Sequence, residues 1–225
     1  MRSLFTIMML SMASVSAQGG TPTDPATSIA LPEPNRSGEV SIEATLDQRR
    51  SVRSYGSAAL SLQEIAQLVW AAQGVTEPQD GLRTAPSAGA TFPLEIDLLV
   101  TGSDDLEDGV YRYRPREHSL VQRIAGDRRR HLHDAGLGQT AILEAPVVLV
   151  MSGVTSRTAR RYGPRAERYV HMEAGHAAQN VYLQATALDI GTVVIGAFRD
   201  EAVSSALRLN QGEQPLYLMP LGKLR

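Results

Sequence analysis

Residues 164–198 read PRAERYVHMEAGHAAQNVYLQATALDIGTVVIGAF and contain the longest helical signal in the chain. From about Pro164 to Leu188, apolar and small residues recur at intervals of three and four, which is the spacing of one face of an α-helix. They are Ala174, Ala177, Ala178, Val181, Ala185 and Leu188. Because most of these side chains are small, this face allows close approach by another helix. After it, Val193–Ile195 is predicted to be a strand.

The segments on either side of this stretch alternate between helix and strand. Downstream, Asp200–Leu207 is predicted to be a helix and Leu216–Leu221 a strand. Upstream, the apolar run Val147–Met151 is predicted to be a fully buried strand near the centre of a sheet. It follows a predicted helix at Gln139–Glu144 and a short helix that begins near Asp127.

The first half of the chain adds one helix and three strands. Ser61-Leu62-Gln63-Glu64 is a capping box, and the apolar residues after it predict a helix that ends at Gly74. Leu94–Val100 predicts a strand, and Val110–Arg114 with Leu120–Ile124 predicts a hairpin. This order of elements predicts an α+β domain with a central mixed or antiparallel sheet flanked by helices, rather than a regular βαβ array.

The N-terminus, residues 1–17, has the pattern of a secretory signal peptide. Arg2 supplies a positive charge, Leu4–Ala13 is an apolar run, and Val15-Ser16-Ala17 is a small-residue cleavage site. The apolar run is too short to span a hydrocarbon core of ~30 Å, and the alternative is a buried N-terminal helix. We therefore predict an exported, periplasmic protein with no membrane insertion after signal cleavage.

Residues 18–40 are rich in Gly, Pro, Ser and Thr and show no apolar period. This composition predicts a flexible leader that contributes little to the core. Residues 41–225 are then expected to form a single folded domain.

The composition excludes several classes of site. The 225 residues include 22 Lys and Arg against 24 Asp and Glu, so a net charge of −2 gives no general attraction to nucleic acid. The chain has no Cys, which excludes disulfides, thiolate zinc sites and a catalytic Cys. Any redox chemistry therefore needs a cofactor.

Several well-known motifs are absent or have the wrong spacing. The chain has no GxGxxG after a strand, no GxxxxGK[ST] and no GxSxG, which argues against dinucleotide-binding, P-loop and α/β-hydrolase sites. His171 and His176 are five residues apart around Glu173, whereas HExxH places its histidines four apart, so we predict no metal site. The basic run Asp127–His131 is typical of a solvated helix face rather than of a nucleic-acid site.

An arginine cluster follows an amphipathic turn at residues 42–46. Arg49, Arg50 and Arg53 lie within five residues and flank Ser51. Because the planar guanidinium makes bidentate, charge-assisted hydrogen bonds, these side chains suit a phosphate group. Taken alone, the cluster also fits a solvated turn.

Two loops are rich in small residues. RTAPSAGA at 83–90 enters the strand that begins at Leu94, and GTVVIGAF at 191–198 lies near the C-terminus, where the chain closes on Lys223-Leu224-Arg225. Small side chains let backbone N–H and C=O groups approach a flat ligand closely.

Taken in order, these segments resemble the nitroreductase family of flavin enzymes, and most closely its branch of SagB-type oxidoreductases, which includes the dehydrogenases of azole-modified peptide biosynthesis. The matching segments are RRSVRSY at 49–55, RTAPSAGATFPLEI at 83–96, GVYRYRPREHSL at 109–120, GQTAILEAPVVLV at 138–150, GHAAQNVYLQATALDIG at 175–191, VIGAF at 194–198 and PLYLMPLGK at 215–223. The resemblance covers about residues 41–225. Each motif is moderately specific, but all of them in the family's order argue against chance.

The resemblance implies a nitroreductase-like fold, an obligate homodimer with a long central interface helix, and FMN held at the interface. The residues that match the family's motif for the FMN phosphate and ribityl chain are Arg49, Arg50, Ser51 and Arg53, and those that match its C-terminal basic pair are Lys223 and Arg225. A phosphate that carries about −1.5 to −2 charge needs more than one such cation.

The resemblance also assigns contacts to the flavin ring. The loop that reaches the ring across the dimer is matched by Pro86, Ser87 and Gly89. The loop beside N5, where a backbone N–H could hydrogen-bond to the ring, is matched by Val194, Ile195, Gly196 and Ala197. Gln139 falls near a position that often carries a polar flavin contact.

The implied activity is that of an FMN-dependent oxidoreductase with ping-pong kinetics, in which flavin N5 carries the chemistry. The acceptor is expected to be a small organic molecule and the candidate donor is NAD(P)H, although an exported enzyme would meet little of it, so another donor is an alternative. We do not predict peptide-azole oxidation, because the azole-forming enzymes act within a larger synthetase complex.

No general base is assigned, since the flavin carries the chemistry. The polar candidates near the substrate mouth are Tyr162, Arg165, His171 and Glu173. Two alternatives remain open. One is an exported flavin- or ligand-binding module without turnover, and the other is a structural dimer without a cofactor.

Overall fold

A computed structural model of the chain describes residues 28–225. The predicted signal peptide, residues 1–17, and the first part of the predicted leader lie outside the described residues. No helix among the described residues is both long and apolar enough to cross a membrane.

A seven-stranded sheet runs through the middle of the fold. Nine strands lie within residues 28–225, seven of them in this sheet. They are β1 (Ser28–Ala30), β2 (Val75–Glu77), β3 (Leu82–Arg83), β4 (Leu94–Val100), β5 (Gly109–Arg114), β6 (Ser119–Ala125), β7 (Val147–Gly153), β8 (Ile190–Thr192) and β9 (Gln214–Lys223). The large sheet has the order β1-β6-β5-β4-β7-β9-β8, and β2 with β3 forms a separate hairpin. Every pairing between these strands is antiparallel, so the sheet is of the antiparallel kind that the sequence allowed.

Helices cover both faces of this sheet. They are α1 (Ile42–Gln48), α2 (Leu62–Gln73), α3 (Arg129–Ala135), α4 (Thr140–Glu144), α5 (Thr155–Tyr162), α6 (Ala166–Ala187) and α7 (Asp200–Leu207). Short 3₁₀ turns occupy Ala88–Ala90 and Gly163–Arg165. The long helix that the spacing of small residues predicts is therefore α6, and the α+β class with a sheet between helices is confirmed.

The core consists of two apolar clusters, one on each side of the sheet. Leu98 and Leu149 point into the cluster that α2 and α6 cover. Their chain neighbours Leu99 and Val148 belong to the cluster that α3, α4 and α7 cover. This alternation is the period of two that strands impose. Strand β7 is buried along its whole length, as its unbroken apolar composition predicts.

The capping box at the start of α2 forms as predicted. The Ser61 hydroxyl accepts a hydrogen bond from the backbone N–H of Glu64, and the Glu64 carboxylate accepts one from the Ser61 N–H at 3.0 Å. Gly74 caps the other end of the helix. These contacts satisfy backbone groups that a helix end leaves without partners.

Two local predictions differ from the structure. The predicted strand Val193–Ile195 is displaced: β8 ends at Thr192, and Ile195 pairs with Leu218 only through an isolated bridge. The ladder is interrupted because the Val194 N–H donates to a tyrosine hydroxyl at 2.8 Å instead of to a strand.

The second difference lies in the predicted leader, whose residues 28–31 join the sheet. Strand β1 pairs with β6, and Leu31 is buried in the core. A strand of three residues is too short to show a hydrophobic period, so composition alone could not reveal it.

Candidate functional site

Residues 49–53, called the arginine segment below, lie against the C-terminal half of α6 and the end of the sheet. Ser51 forms an isolated parallel bridge with Thr192, and the Val52 N–H donates to the Thr192 carbonyl at 2.8 Å. A few residues on, the Gly56 N–H donates to the Lys223 carbonyl at 2.8 Å. The fold therefore brings the arginine segment, the loop after β8 and the C-terminal basic pair to one place.

Tyr182 on α6 connects the arginine segment to the loop after β8. Its hydroxyl accepts a hydrogen bond from the Val194 N–H at 2.8 Å and lies 3.2 Å from the Ser51 hydroxyl. The Arg49 guanidinium lies over its ring, 5.2 Å from the centroid. Sequence reasoning missed this residue. The available signal was its position four residues after Ala178, on the side of α6 that faces the core.

The arginines of this cluster have no neutralising partner in the part of the chain that the structure describes. Among residues 28–225, Arg49, Arg50 and Arg53 form no salt bridge. Arg50 donates only to backbone carbonyls, those of Asp47 and of Arg49. Such a concentration of unpaired positive charge attracts an anion, and phosphate is the anion that several guanidinium forks hold best.

The C-terminal basic pair is engaged with carboxylates instead. Lys223 pairs with Glu64, and Arg225 lies 3.3 Å from the Glu144 carboxylate. Burial opposes ionisation of Glu64, but hydrogen bonds from Lys223 and Ser61 hold its pKa below the usual value. Within the described chain, Lys223 and Arg225 therefore have acidic partners that an incoming anion would have to replace.

The loop Val194–Ala197 presents free peptide donors. The N–H groups of Val194 and Ile195 are used, since they donate to Tyr182 and to the Leu218 carbonyl. Those of Gly196 and Ala197 have no acceptor in the described part of the chain, and both residues are exposed. Of the four residues that the sequence places beside a flavin ring, these two have N–H groups that remain available to a ligand.

Gln139 contacts the loop Val194–Ala197 through a side-chain hydrogen bond. Its side-chain amide donates to the Ala197 carbonyl and to the Gly136 carbonyl, both at 3.0 Å. It therefore contacts the candidate site through Ala197 and holds the loop in position. A further polar atom, the Thr192 hydroxyl oxygen, is buried here without a partner among the described residues.

The small-residue loop predicted at residues 83–90 continues to Phe92, and residues 83–92 are called the Ser87 loop below. The Ser87 hydroxyl oxygen accepts a hydrogen bond from the Phe92 N–H at 2.9 Å. Gly89 has a φ of +59°, and a Cβ there would lie 2.7 Å from the Tyr162 hydroxyl. Gly89 therefore permits a close contact with the end of α5 that another residue would block.

Ser87 and the arginine segment lie at different places along α6. Glu173 adjoins Ser87, and Tyr182 adjoins Arg49. These two helix positions are nine residues apart, which corresponds to about 14 Å at 1.5 Å per residue. Thr84, at the start of the loop, lies nearer to the arginine segment, because its carbonyl accepts a hydrogen bond from the Asn180 side chain at 3.2 Å.

The polar candidates for a substrate mouth separate into buried and exposed groups. Glu173 is 2% exposed, and burial raises the pKa of its carboxyl to about 7, although the Ser87 hydroxyl and the Arg83 guanidinium oppose this. His171 is exposed, and Arg165 donates to the Tyr169 hydroxyl at 3.1 Å. Of these four candidates, Glu173 and Tyr162 adjoin the Ser87 loop.

The described residues contain no group of three or more side chains suited to hold a metal.

The residues at the arginine segment suit one type of ligand. The cluster of unpaired arginines fits a phosphate, and the exposed N–H groups of Gly196 and Ala197 fit the acceptor edge of a planar ring. Tyr182 joins the two parts. Chemically, this arrangement can bind and orient a phosphorylated, ring-bearing cofactor.

Comparison with known sequences gives matches that cover most of the chain. Residues 46–223 match the model of the Nitroreductase family. A candidate nitroreductase from Methanocaldococcus jannaschii is 47% identical over 185 residues, which are 82% of this chain and 92% of that protein.

Solved structures with the same architecture include two that bear on the fold. A candidate nitroreductase from Ralstonia eutropha superposes with a TM-score of 0.77 at 29% identity, over 88% of this chain and 90% of the other. A chain of the Escherichia coli microcin synthetase complex McbBCD gives a TM-score of 0.67 at 23% identity, over 87% and 78% of the two chains. The second likeness concerns the fold alone.

Proposed function

This chain belongs to the nitroreductase family, and we propose that it is an FMN-dependent oxidoreductase that acts as a homodimer on a small organic acceptor. The observation that carries the proposal is the unpaired arginine cluster, which Tyr182 joins to a loop with two free peptide N–H groups. Both halves of that arrangement are needed for a ligand with a phosphate at one end and a flavin ring at the other.

The arginine segment would bind the phosphate of FMN. Arg49, Arg50 and Arg53 would share the phosphate charge, and the Ser51 hydroxyl would add a hydrogen bond. Lys223 and Arg225 lie in the adjacent segment, and binding of the phosphate would draw them away from Glu64 and Glu144.

The loop after β8 would contact the flavin ring of FMN. When bound, FMN supplies hydride and electron transfer through its N5, with donor and acceptor using the same face in turn, which gives ping-pong kinetics. The chain's own part is orientation. The Gly196 and Ala197 N–H groups are the available hydrogen-bond donors, while Gln139 and Tyr182 fix the loop that carries them.

A homodimer accounts for the separation of Ser87 from the arginine segment. Ser87 adjoins α6 about 14 Å along the helix from the arginine segment of its own chain, so it would contact a ring bound to the partner. Helix α1 also exposes an apolar face, with Ile42 60% and Leu46 53% exposed. A two-fold contact would cover such a face in both chains at once.

Three finer parts of the proposal concern the branch of the family, the electron donor and the location. The SagB-type branch is favoured by the motif order in the sequence and agrees with the fold shared with the microcin synthetase chain. NAD(P)H as donor follows from the family. Export to the periplasm rests on the signal-peptide pattern of residues 1–17.

Titration of the purified, flavin-stripped protein with FMN tests the proposal. Quenching of flavin fluorescence should saturate at one FMN per chain, and riboflavin, which lacks the phosphate, should bind far more weakly because it leaves the arginines unpaired. Equal affinity for the two would contradict the role of the arginine segment. Tight FMN binding without reduction by any donor would favour a binding module without turnover.

A further inference from the structure

Basic residues are concentrated on α5 and the first turns of α6. Residues 155–172 contain five Arg and one acidic residue, Glu167, in a chain whose net charge is −2. One of the five, Arg157, is paired with Glu95. The other four are all exposed and are called the arginine rim below: Arg160, Arg161, Arg165 and Arg168. The local excess of positive charge therefore lies on the surface, where a charged ligand can reach it.

No carboxylate of the described chain neutralises the arginine rim. Among residues 28–225, none of its four members forms a salt bridge. Glu167 lies between Arg165 and Arg168 in the sequence and is exposed like them, yet it pairs with neither. Glu95, the acidic residue that pairs with α5, is already shared with Arg112. Because like charges this close in sequence repel one another, an anion that binds among them removes an unfavourable interaction.

Two tyrosine rings hold two of these guanidinium groups. Tyr162 and Tyr169 meet edge to face, with their ring centroids 5.0 Å apart. The guanidinium of Arg161 lies 5.8 Å from the Tyr162 centroid, and that of Arg165 lies 5.7 Å from the Tyr169 centroid. An arginine that already stacks on a ring loses less conformational freedom when it binds a ligand. The structure therefore holds two guanidiniums on one aromatic base.

Most hydrogen-bond donors of these two arginines are free. Arg161 reaches the Gly89 carbonyl through one Nη atom, at 3.5 Å. Arg165 donates from Nε to the Tyr169 hydroxyl at 3.1 Å, and its Nη atoms have no acceptor in the part of the chain that the structure describes. A carboxylate accepts two parallel hydrogen bonds from one guanidinium fork. The terminal nitrogens of Arg165 are therefore available to such a group.

The arginine rim adjoins the Ser87 loop. A Cβ on Gly89 would lie 2.9 Å from Cδ of Arg161 and 2.7 Å from the Tyr162 hydroxyl. Helix α5 is also fixed to the loop, since the hydroxyls of Thr158 and Thr91 are hydrogen-bonded at 2.9 Å. The loop itself, residues 83–92, contains no acidic residue. A ligand that contacts the Ser87 loop therefore lies beside the arginine rim.

We propose that the acceptor of this enzyme is a small organic anion, and that the arginine rim binds its carboxylate while the rest of the molecule lies against the flavin ring. The inference rests on the proposed function, because it takes the Ser87 loop to be the loop that contacts the ring. The rim and this loop then belong to one chain and the ring to its partner. The rim is distinct from the arginine segment, which binds the phosphate of FMN.

The position of the rim sets its effect on the reaction. It binds a charged group that is remote from the reacting atoms, so it contributes to substrate binding and to KM rather than to kcat. Because its arginines are exposed, each contact with an anion is screened by salt. Two guanidiniums that share one carboxylate still favour an anion over a neutral molecule of the same shape.

Benzoate and benzamide have nearly the same size and shape but differ in charge, so their binding to the holoenzyme tests the proposal. Equilibrium dialysis at about 0.05 M salt should show about tenfold tighter binding of benzoate. This preference should fall several-fold at about 0.5 M salt, because the ions screen exposed charges. Neither compound is an electron acceptor for the enzyme, so the experiment measures binding alone.

Variants assign the preference to the rim. Arg161→Gln combined with Arg165→Gln should reduce it to less than about twofold. Arg114→Gln combined with Arg130→Gln changes the net charge equally at two other exposed positions and should keep it. Should the rim variant not fold, Arg160→Glu provides the decision, since Arg160 is exposed and its charge reversal should lower the preference at least about threefold.

The results that would overturn the proposal concern the wild type and both variants. They are equal binding of benzoate and benzamide by the wild type, a preference that the rim variant keeps, and a preference that the control variant also loses. A protein that takes up no FMN would contradict the proposed function. Dialysis of that FMN-free protein would still decide the role of the rim, because only the rim variant should lose the preference for benzoate.

Turnover gives a second readout. Reduction of para-nitrobenzoate or para-nitrobenzamide to the nitroso compound consumes one NADH and one proton and yields NAD⁺ and water. The rim variant should raise KM for the acid about tenfold, with kcat unchanged and with the KM of the amide unchanged. Loss of kcat for both acceptors would overturn the proposal. An effect on the KM of NADPH alone would assign the rim to the donor and would also overturn it.

Discussion

The hydroxyl of Tyr182 accepts a hydrogen bond from the backbone N–H of Val194 at 2.8 Å. This contact interrupts the pairing of the loop after β8 with the sheet, which resumes at the bridge between Ile195 and Leu218. The next two peptide N–H groups, those of Gly196 and Ala197, belong to exposed residues and have no acceptor among residues 28–225. Since Arg49 stacks on the same ring, one side chain on the long helix ties the proposed phosphate site to the proposed ring site.

Replacing Tyr182 with Phe should weaken FMN binding about fivefold, because one hydrogen bond to the Val194 N–H is worth about 1 kcal/mol. The ring that Arg49 stacks on is retained. A fluorescence titration of the flavin-free variant measures the change. Tyr169→Phe removes a hydroxyl from the exposed part of the same helix and should leave the affinity unchanged. Equal loss in both variants would count against the role of Tyr182.

The double variant Arg49→Ala and Arg53→Ala should lose FMN by at least about 100-fold in affinity, since each charged hydrogen bond contributes about 1.5–3 kcal/mol. The purified variant should be colourless. Arg130→Ala, an exposed arginine on α3, is the matched control and should bind FMN like the wild type. Retained yellow colour in the double variant would refute the phosphate assignment.

Ile42→Asp combined with Leu46→Asp should convert the proposed dimer to a monomer, because burial of two carboxylates in an apolar contact is costly. Light scattering coupled to gel filtration measures the mass. The monomer should also lose FMN, since it lacks the partner's Ser87 loop. Leu137→Asp changes another exposed apolar residue on the opposite side of the sheet and should leave the mass unchanged. A double variant that keeps the wild-type mass would exclude α1 from the interface.

Arg112→Met should destabilise the fold by about 3–5 kcal/mol, because it leaves a buried charge without its partner. Arg112 bonds to Asp97, which is fully buried, at 2.8 Å, and also to Glu95 and Glu213. Urea unfolding measures the loss. Arg129→Met breaks the exposed pair with Asp127 and should cost less than about 1 kcal/mol. Similar losses in both variants would disprove the importance of the buried network.

The free energy of unfolding should depend on pH through Glu173. Its folded pKa of about 7 lies above the usual value of 4.5, so the folded chain binds the proton more tightly than the unfolded chain. The stabilisation is complete below about pH 4.5 and is lost as the pH rises through about 7. Relative to Glu173→Gln, the wild type should lose up to about 3 kcal/mol over this range. Urea unfolding of both proteins at several pH values would show parallel curves if this assignment were wrong.

Local signals in the sequence predicted most of the helices and strands. The spacing of small residues from Ala174 to Leu188 identifies α6, and the capping box at Ser61 identifies the start of α2, because both depend on neighbouring residues in the chain. The hairpin of β5 and β6 follows from alternation in the same way.

The features that sequence reasoning missed depend on tertiary contacts. Tyr182 has the spacing of a core residue, and only the folded chain brings Val194 and Ser51 to its hydroxyl. Glu173 was predicted only as a polar candidate near the substrate mouth, and its burial, at 2% exposed, depends on how α6 packs against the rest of the fold. The pairing of Lys223 with Glu64 joins two segments that no local pattern connects.

The absorption spectrum of the purified protein, recorded anaerobically before and after addition of NADH or NADPH, shows whether this chain is a flavin oxidoreductase. We expect a yellow protein whose flavin bands bleach on reduction and return when an acceptor is added. Bands that do not bleach would point to another donor or to a binding role. A colourless protein that FMN cannot reconstitute would contradict the claim that this chain is a flavin oxidoreductase.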